Sequence, residues 1–489
     1  MRVGVVEPQA PADLSGSAPT PYDDVPYPSA IFPQTAPHRL AAVARAAGLT
    51  PPAVETARVL EIGGGDCMNL LALAAAWPRA RFAGFDLAPT AIERGRRWIS
   101  AAGLRNVELE VLDILDAGDA LGGPFDYVVA HGVYAWVPPP VREATMTLIG
   151  RLLAPDGVAF VSYNALPGGH LRMALRDTLL RRVEGLSGDE RRLAARAHLE
   201  WLAQEPAGDD NPARAALRDA AARTLRTPWS VLSHDELGPC FHPQAVTDVA
   251  RAAAANGLMF LGDADHERMD DVFLPDHSEP GDDPNATLLD HLQARDDRDF
   301  RFFRQTLLVR ADARPSRRPD QAGLAALWAT SRCRRDEDGR YRIKENVFEV
   351  ADPMLDAALA RLIGAFPERL RVAELVDGDA HRVALWRMFD RGLVELHTGP
   401  APFAAEPGER PLASPLVRAL LAEGAATVPT LDHRMITIED YGPRHLIAHL
   451  DGTRTLAELE PVGRDAGLAT PDALIHALRA LAREALLVR

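Results

Sequence analysis

From residue 58 onward, short apolar runs alternate with longer stretches in which apolar positions recur every three to four residues. The short runs at 58–62, 81–86, 107–112, 125–130 and 158–163 predict strands. The run at 58–62 reads as a buried strand. Between them, 69–76, 89–102 and 139–153 carry helical spacing, and another helix is expected over 37–49, where Gly48 suits its C-terminal end. Strands separated by single helices predict an α/β fold, a doubly wound Rossmann-like parallel sheet with helices on both faces. Sheets of that kind bind ligands beyond the carboxyl ends of their strands.

After residue 170 the pattern changes. Residues 170–260 are rich in Ala and Arg with helical periodicity, broken by a short strand at 259–262. An acidic stretch from Asp263 to Asp299 follows, then a strand at 304–310 and a polar, Pro-containing linker at 311–321. Two units of similar plan come next, 322–400 and 412–489, each with helices leading into a short β segment; both predict winged-helix-like modules. The expected organisation is thus a disordered Pro-, Ser- and Ala-rich tail at 1–20, a ligand-binding α/β domain at 21–175, a helical middle domain at 176–312, and the two modules. A chain of 489 residues exceeds what one hydrophobic core supports, as this division requires.

Charge and cysteine content narrow the partners. With 69 acidic against 54 basic residues the formal charge is −15, which repels phosphate backbones and argues against a nucleic-acid substrate. Lys344 is the single lysine, a bias that codon usage explains. The cysteines Cys67, Cys240 and Cys333 stand apart without CxxC spacing, so neither a disulfide framework nor a zinc site is expected. His234, Asp235, Glu236 and His242 fit no ligand motif, and helix caps and turns account for them; no metal is expected. No apolar run is long enough to cross a membrane and the first residues lack a signal-peptide core, so membrane insertion is not expected and a cytoplasmic location is.

The sharpest chemical feature is VLEIGGGDCMNLLALA at 59–74, a predicted strand entering a helix through Gly63, Gly64 and Gly65, with Glu61 just before them. Backbone that must touch a cofactor cannot carry Cβ atoms there. Such a loop alone also fits dinucleotide binding, but the GxGxxG form is absent, with Met68 where its last glycine would stand. Two acids sharpen the assignment. Asp86 ends the second strand, where a carboxylate can accept both hydroxyls of a ribose, and Asp113 ends the third, where an adenine amino group would lie. The three elements at successive strand ends resemble class I S-adenosylmethionine (SAM) dependent methyltransferases. Cys67 stands where many of those have a glycine, and reads as a small side chain packed against the helix.

The fourth strand leads into HGVYAWVPPP at 131–140, placing His131, Tyr134 and Trp136 in a proline-stiffened turn; the fifth ends with Tyr163 and Asn164. Methyl transfer from a sulfonium is an in-line displacement that depends on alignment and water exclusion. An amine acceptor must also lose its proton, which a dry aromatic setting and a nearby base promote. Aromatic walls attract the cationic product as well. His131 is the candidate proton acceptor.

With these segments in order, PYDDVPYPSAIFPQTAPHRLAAVA, VLEIGGGDCMNLL, GFDLAPTAIERG, FDYVVAHGVYAWVPPPVRE and VAFVSYNALPGG, the chain resembles bacterial methyltransferases that carry a methyltransferase regulatory domain, a family that includes protein-lysine methyltransferases. The stretch 231–269 resembles the core of that regulatory domain and 304–310 its closing strand. The resemblance implies that Glu61, Gly63, Gly64, Gly65, Asn69, Asp86, Leu87, Asp113, Ile114 and His131 frame SAM. It implies an acceptor pocket of Tyr27, His131, Tyr134, Trp136, Tyr163 and Asn164, and a lid at 26–29 over the cofactor. The implied activity is N-methylation of a protein or peptide, at lysine. A small-molecule N- or O-methyltransferase, or a protein that binds SAM without turnover, stays open as an alternative at this stage. The segment 446–459 resembles the helix–turn–helix stretch of winged-helix modules that hold peptides; the single Arg among three acids in 449–461 does not suit DNA.

Overall fold

The computed structural model describes residues 24–204, 211–264, 271–275 and 281–489, so the tail at 1–20 lies outside them. The alternation forms β1 (Arg58–Ile62), β2 (Arg81–Asp86), β3 (Val107–Val111), β4 (Phe125–Ala130) and β5 (Leu153–Asn164), all parallel. The longer helices of this part are α1 (Pro37–Ala46), α2 (Met68–Ala76), α3 (Pro89–Ala102) and α4 (Pro139–Leu152). Proline opens α1, α3 and α4, where its missing N–H costs nothing.

The middle segment does more than add helices. Helices α5 (Gly169–Arg182), α6 (Gly188–Ala203), α7 (Pro212–Thr224) and α8 (Trp229–Asp235) pack around Leu175, Leu179, Leu199 and Leu232 as a core of their own. Beyond them, α9 (Val246–Ala255) lies on the sheet through Val249 and Ala253, followed by β6 (Leu258–Asp263), α10 (Pro284–Asp299) and β7 (Phe303–Arg310). Strands β6 and β7 belong to the same sheet as β1–β5, in the order β3-β2-β1-β4-β5-β7-β6. β7 runs antiparallel to β5, from Ala159 opposite Leu308 to Asn164 opposite Phe303. The boundary expected near 175 therefore cuts through one seven-stranded sheet. The strand order reverses between β1 and β4, which puts the turn after β1 at the switch point where such sheets bind ligands.

The first C-terminal module has β8 (Trp328–Thr330), the short strands β9 (Arg334–Arg335), β10 (Tyr341–Ile343) and β11 (Asn346–Phe348), α11 (Pro353–Ala365), β12 (Leu370–Arg371), α12 (Asp379–Asp390) and β13 (Glu395–His397). The second has α13 (Pro415–Ala422), a hairpin of β14 (Thr427–Pro429) and β15 (Met435–Thr437), then α14 (Tyr441–His449), α15 (Leu456–Asp465) and α16 (Pro471–Arg483). The hairpin thus follows the first helix of this module, and the final residues only bridge back to Phe403 and Ala413. Both modules share one apolar core with the α1–α2 side of the sheet. His38 and His397 lie 4.7 Å apart at that seam, and Trp98 on α3 donates its indole N–H to Glu423 at 3.0 Å.

Candidate active site

The turn after β1 is tight on one side and open on the other. Gly63 and Gly65 adopt φ of 65° and 60°, and the N–H groups of Gly63 and Gly64 both donate to the Phe85 carbonyl, at 3.0 and 3.2 Å. A Cβ on Gly64 would stand 2.7 Å from the Cys67 sulfur, whereas one on Gly65 or Gly132 would meet nothing within 4 Å. Cys67 caps α2 at φ 55°, the left-handed conformation that glycine holds most easily. Its sulfur fills the gap between Gly64 and Gly84, and burial pushes the thiol well above its usual range, which removes it as a nucleophile.

The acids converge on this turn. Asp86 accepts the Gly65 N–H at 2.8 Å on one oxygen and the Ala88 N–H at 2.9 Å on the other. Burial raises its pKa, and each oxygen keeps a second lone pair for a ligand hydroxyl. Asp86 lies opposite Val111 in the β2–β3 register, so Asp113 sits at the adjacent strand end, where its side chain accepts the Leu115 N–H at 2.9 Å. Leu87 and Ile114, each half-buried, directly follow the two acids. Glu61 is 3 % exposed; one oxygen accepts Asn69 Nδ2 at 2.7 Å, and Oε2 has no partner. Burial, reinforced by the Asp66 charge, pushes the Glu61 carboxyl up to about 7.

The segment where a lid was expected forms a strap anchored at both ends. The His234 ring bonds the Val25 carbonyl at 2.6 Å, and the Tyr27 hydroxyl donates to Asp235 at 3.3 Å. Ser29 donates to Asp66 at 2.5 Å, and the Phe32 N–H to Asn69 at 2.9 Å. His234 and Asp235 are therefore strap anchors, while Glu236 pairs with Arg172 at 2.6 Å and the His242 backbone N–H donates to the Ala135 carbonyl at 2.7 Å. Among the described residues no three His, Cys, Asp or Glu side chains gather as a metal-binding group.

The expected acceptor residues divide between the two faces of the sheet. His131 meets Phe32 at 3.9 Å between ring centroids, Phe160 at 5.8 Å and Phe303 at 6.4 Å. Its Nδ1 is buried without a partner, and burial lowers its pKa to about 4, so the imidazole is neutral at pH 7. On the same face stand Asn164 and, opposite Ser162, Gln305; the Asn164 Oδ1 and Gln305 Oε1 are likewise buried and unpartnered. Gln305 was not anticipated, although a Gln inside the run RQTLLVR is a polar break in a buried strand. Tyr134 and Tyr163 face the other way, into the core beside α4 and α9, 6.2 Å from one another. Tyr163 shares a 2.9 Å hydrogen bond with Thr306, and burial raises the pKa of both phenols. Trp136 stacks near Phe241 at 4.8 Å with the Arg172 guanidinium over it, and Tyr27 stays at the strap. The pocket that the resemblance implied is thus not assembled by Tyr27, Tyr134, Trp136 and Tyr163, because strand alternation sends Tyr163 away from Asn164.

Known families match this arrangement segment by segment: a methyltransferase domain at 59–157, a predicted methyltransferase regulatory domain at 229–310, and the C-terminal winged helix domain of PKMT at 409–462. The uncharacterized protein RP028 of Rickettsia prowazekii is 36% identical over 218 residues, 44% of this chain and 87% of that relative. This chain belongs to the SAM-dependent methyltransferases that carry a regulatory domain. A second relative from the same organism, RP789, is 34% identical over 218 residues, 44% of this chain and 39% of its own length. Among solved structures, PKMT2 from Rickettsia typhi is 25% identical and superposes with a TM-score of 0.75, covering 95% of this chain and 100% of that one. The same protein in complex with AdoHcy gives 24% and 0.76, with the same coverage.

The methyltransferase site suits its cofactor on its own geometry. The bare Gly65 and Gly132 backbones face open space, Glu61 Oε2 is an orphaned acceptor, and Asp86 and Asp113 stand at neighbouring strand ends. SAM, when bound, supplies an electrophilic methyl group on a sulfonium. Glu61, Asn69, the glycine bend, Asp86 and Asp113 would hold it, and the strap would keep water out. The raised Glu61 pKa carries a pH signature. Its proton stays on in the folded protein up to about pH 7, so the stability it contributes is full below the ordinary value of 4.5 and is lost as pH rises through 7. A cationic ligand favours the ionised form. SAM affinity is therefore expected to rise as pH increases towards 8, by up to about tenfold per unit below pH 7, with proton release on binding. Calorimetry in buffers of different ionisation enthalpy reads this directly; the assignment fails if no proton is released near pH 6.5, or if Glu61→Gln releases as many as wild type.

Proposed function

We propose that this methyltransferase is a cytoplasmic enzyme that methylates a lysine amine of a protein or peptide. The observation that carries the reading is the row of three buried atoms without partners on one sheet face, His131 Nδ1, Asn164 Oδ1 and Gln305 Oε1, beside the Phe32 and Phe303 rings. The two amide oxygens can only accept hydrogen bonds and the neutral imidazole can accept one, so the face suits a donor such as a neutral amine and not a carboxylate. Aromatic rings beside it suit the cationic product. Similarity to PKMT2 along nearly the whole chain, and the PKMT winged-helix match, support a protein substrate. The acidic surface favours lysine-bearing partners. Residues of this chain would then act by positioning the amine, with His131 Nδ1 free to accept a hydrogen bond from it.

Methyl-labelled SAM incubated with a proteome and with the small-molecule extract of the same cells should place label in methyl-lysine of protein; label confined to small molecules overturns the reading. His131→Ala should leave AdoHcy affinity within about threefold while slowing transfer by about 10²-fold through lost alignment of the amine. Because its pKa is already near 4, the wild-type rate should show no loss from His131 protonation between pH 8 and 5.

A further inference from the structure

The cofactor side of the site is completed from the far end of the chain. We propose that His433, in the β14–β15 turn of the C-terminal winged module, is a positioning residue for SAM binding that acts by fixing the Asn69 amide between Glu61 and the strap. Its Nε2 lies 2.9 Å from Asn69 Oδ1, and both residues are 3 % exposed, 364 positions apart. Asn69 is a junction. Its Nδ2 reaches Glu61 Oε1 at 2.7 Å and Thr35 Oγ1 at 3.1 Å, while its Oδ1 receives the Phe32 N–H at 2.9 Å.

The donor and acceptor pattern admits one assignment. Glu61 and Thr35 are served by the amide NH₂, since the Thr35 hydroxyl proton is given to the Phe32 carbonyl at 2.8 Å. Oδ1 then faces His433, which must carry its proton on Nε2. Turning the amide over would set its NH₂ against the Phe32 N–H, two donors face to face. His433 therefore contributes a donor that holds Asn69 in the one orientation from which it can steer Glu61.

The placement of His433 argues for a role beyond filling space. The residue sits at φ 63°, a conformation that non-glycine residues rarely hold, and its Nδ1 is buried without a partner. An apolar side chain would avoid that desolvation. The turn is made rigid around it: the His433 N–H donates to the Thr430 carbonyl at 3.0 Å, and Asp432 pairs with Arg434 at 3.0 Å and with Arg332 of the first module. The cofactor site thus depends on both C-terminal modules being docked, whatever the acceptor is.

His433→Gly tests this cleanly, because glycine suits the backbone and only the imidazole is lost. Calorimetry with AdoHcy on the full-length protein should give an affinity about tenfold weaker, ~1.4 kcal/mol. The kinetic constants should split, with KM for SAM rising and kcat for the bound complex little changed. Millimolar imidazole should restore part of the binding to His433→Gly. Asn69→Ala should weaken binding at least as much, and the double variant no further, since both act through one amide. If His433→Gly does not fold, His433→Asn, which tolerates the same φ with a shorter side chain, is read the same way. Affinity within twofold of wild type in the folded variant, or additive losses in the double variant, overturns the proposal.

Discussion

Asp86→Ala should bind AdoHcy at least about 100-fold more weakly than the wild-type methyltransferase, and calorimetry should detect no saturable binding at micromolar concentrations. Two effects add. The carboxylate offers the ribose its acceptors, and hydrogen bonds to charged groups contribute about 1.5–3 kcal/mol each. It also bonds the Gly65 and Ala88 N–H groups, so its removal loosens the bend and the start of α3 together. Asp86→Asn should retain more affinity, since one amide oxygen can still accept. Asp113→Ala, which within the protein breaks a local turn bond to Leu115 and leaves the glycine bend intact, should cost less than Asp86→Ala. Wild-type affinity in Asp86→Ala would place the nucleoside elsewhere and remove the basis for assigning the glycine bend to SAM.

The largest stability effect is expected far from the cofactor. Arg304 on β7 is fully buried and holds Asp296 through two hydrogen bonds of 2.6 and 2.8 Å, and Asp263 and Asp271 at 3.2 Å each. Arg301 shares Asp263 and Asp271 at 3.0 and 3.1 Å. Deleting one partner of a buried ion pair leaves an uncompensated charge in a poorly polarisable interior, at a cost of about 3–5 kcal/mol. Arg304→Ala should therefore lower the thermal midpoint by about 10 °C. The damage should also reach the acceptor face, because Arg304 lies opposite Tyr163 and between Phe303 and Gln305. Circular dichroism melts are the direct test. A midpoint within 2 °C of wild type would mean that the carboxylates of this cluster take up protons instead of holding charge.

Much of the fold was legible because its signals are local. Residues 58–62, 81–86, 89–102 and 125–130 form the elements that their apolar spacing predicts, with the same bounds. Pro89 and Gly103 mark the ends of α3 by fixed φ and by left-handed φ, properties a residue carries wherever it stands. The cofactor cradle was legible for a related reason: Glu61, the glycines, Asp86 and Asp113 each stand at or just past the end of a strand, and a parallel sheet places successive strand ends side by side. The acceptor turn was read less well. Whether Tyr163 or Asn164 faces His131 depends on a period of two, and a shift of one residue in register exchanges the faces.

The residues by themselves determined the kinds of element, their order along 58–164, and the set of side chains able to cradle an adenosyl group, since each rests on steric rules and hydrogen-bonding capacity within a few positions. Only the tertiary structure decided that β6 and β7 close the same sheet, that Gln305 stands beside His131 while Tyr134 and Tyr163 do not, and that His433 reaches Asn69. Each of those is a pairing between distant segments, selected by the burial and hydrogen-bond satisfaction of the whole core, which no short window of residues contains.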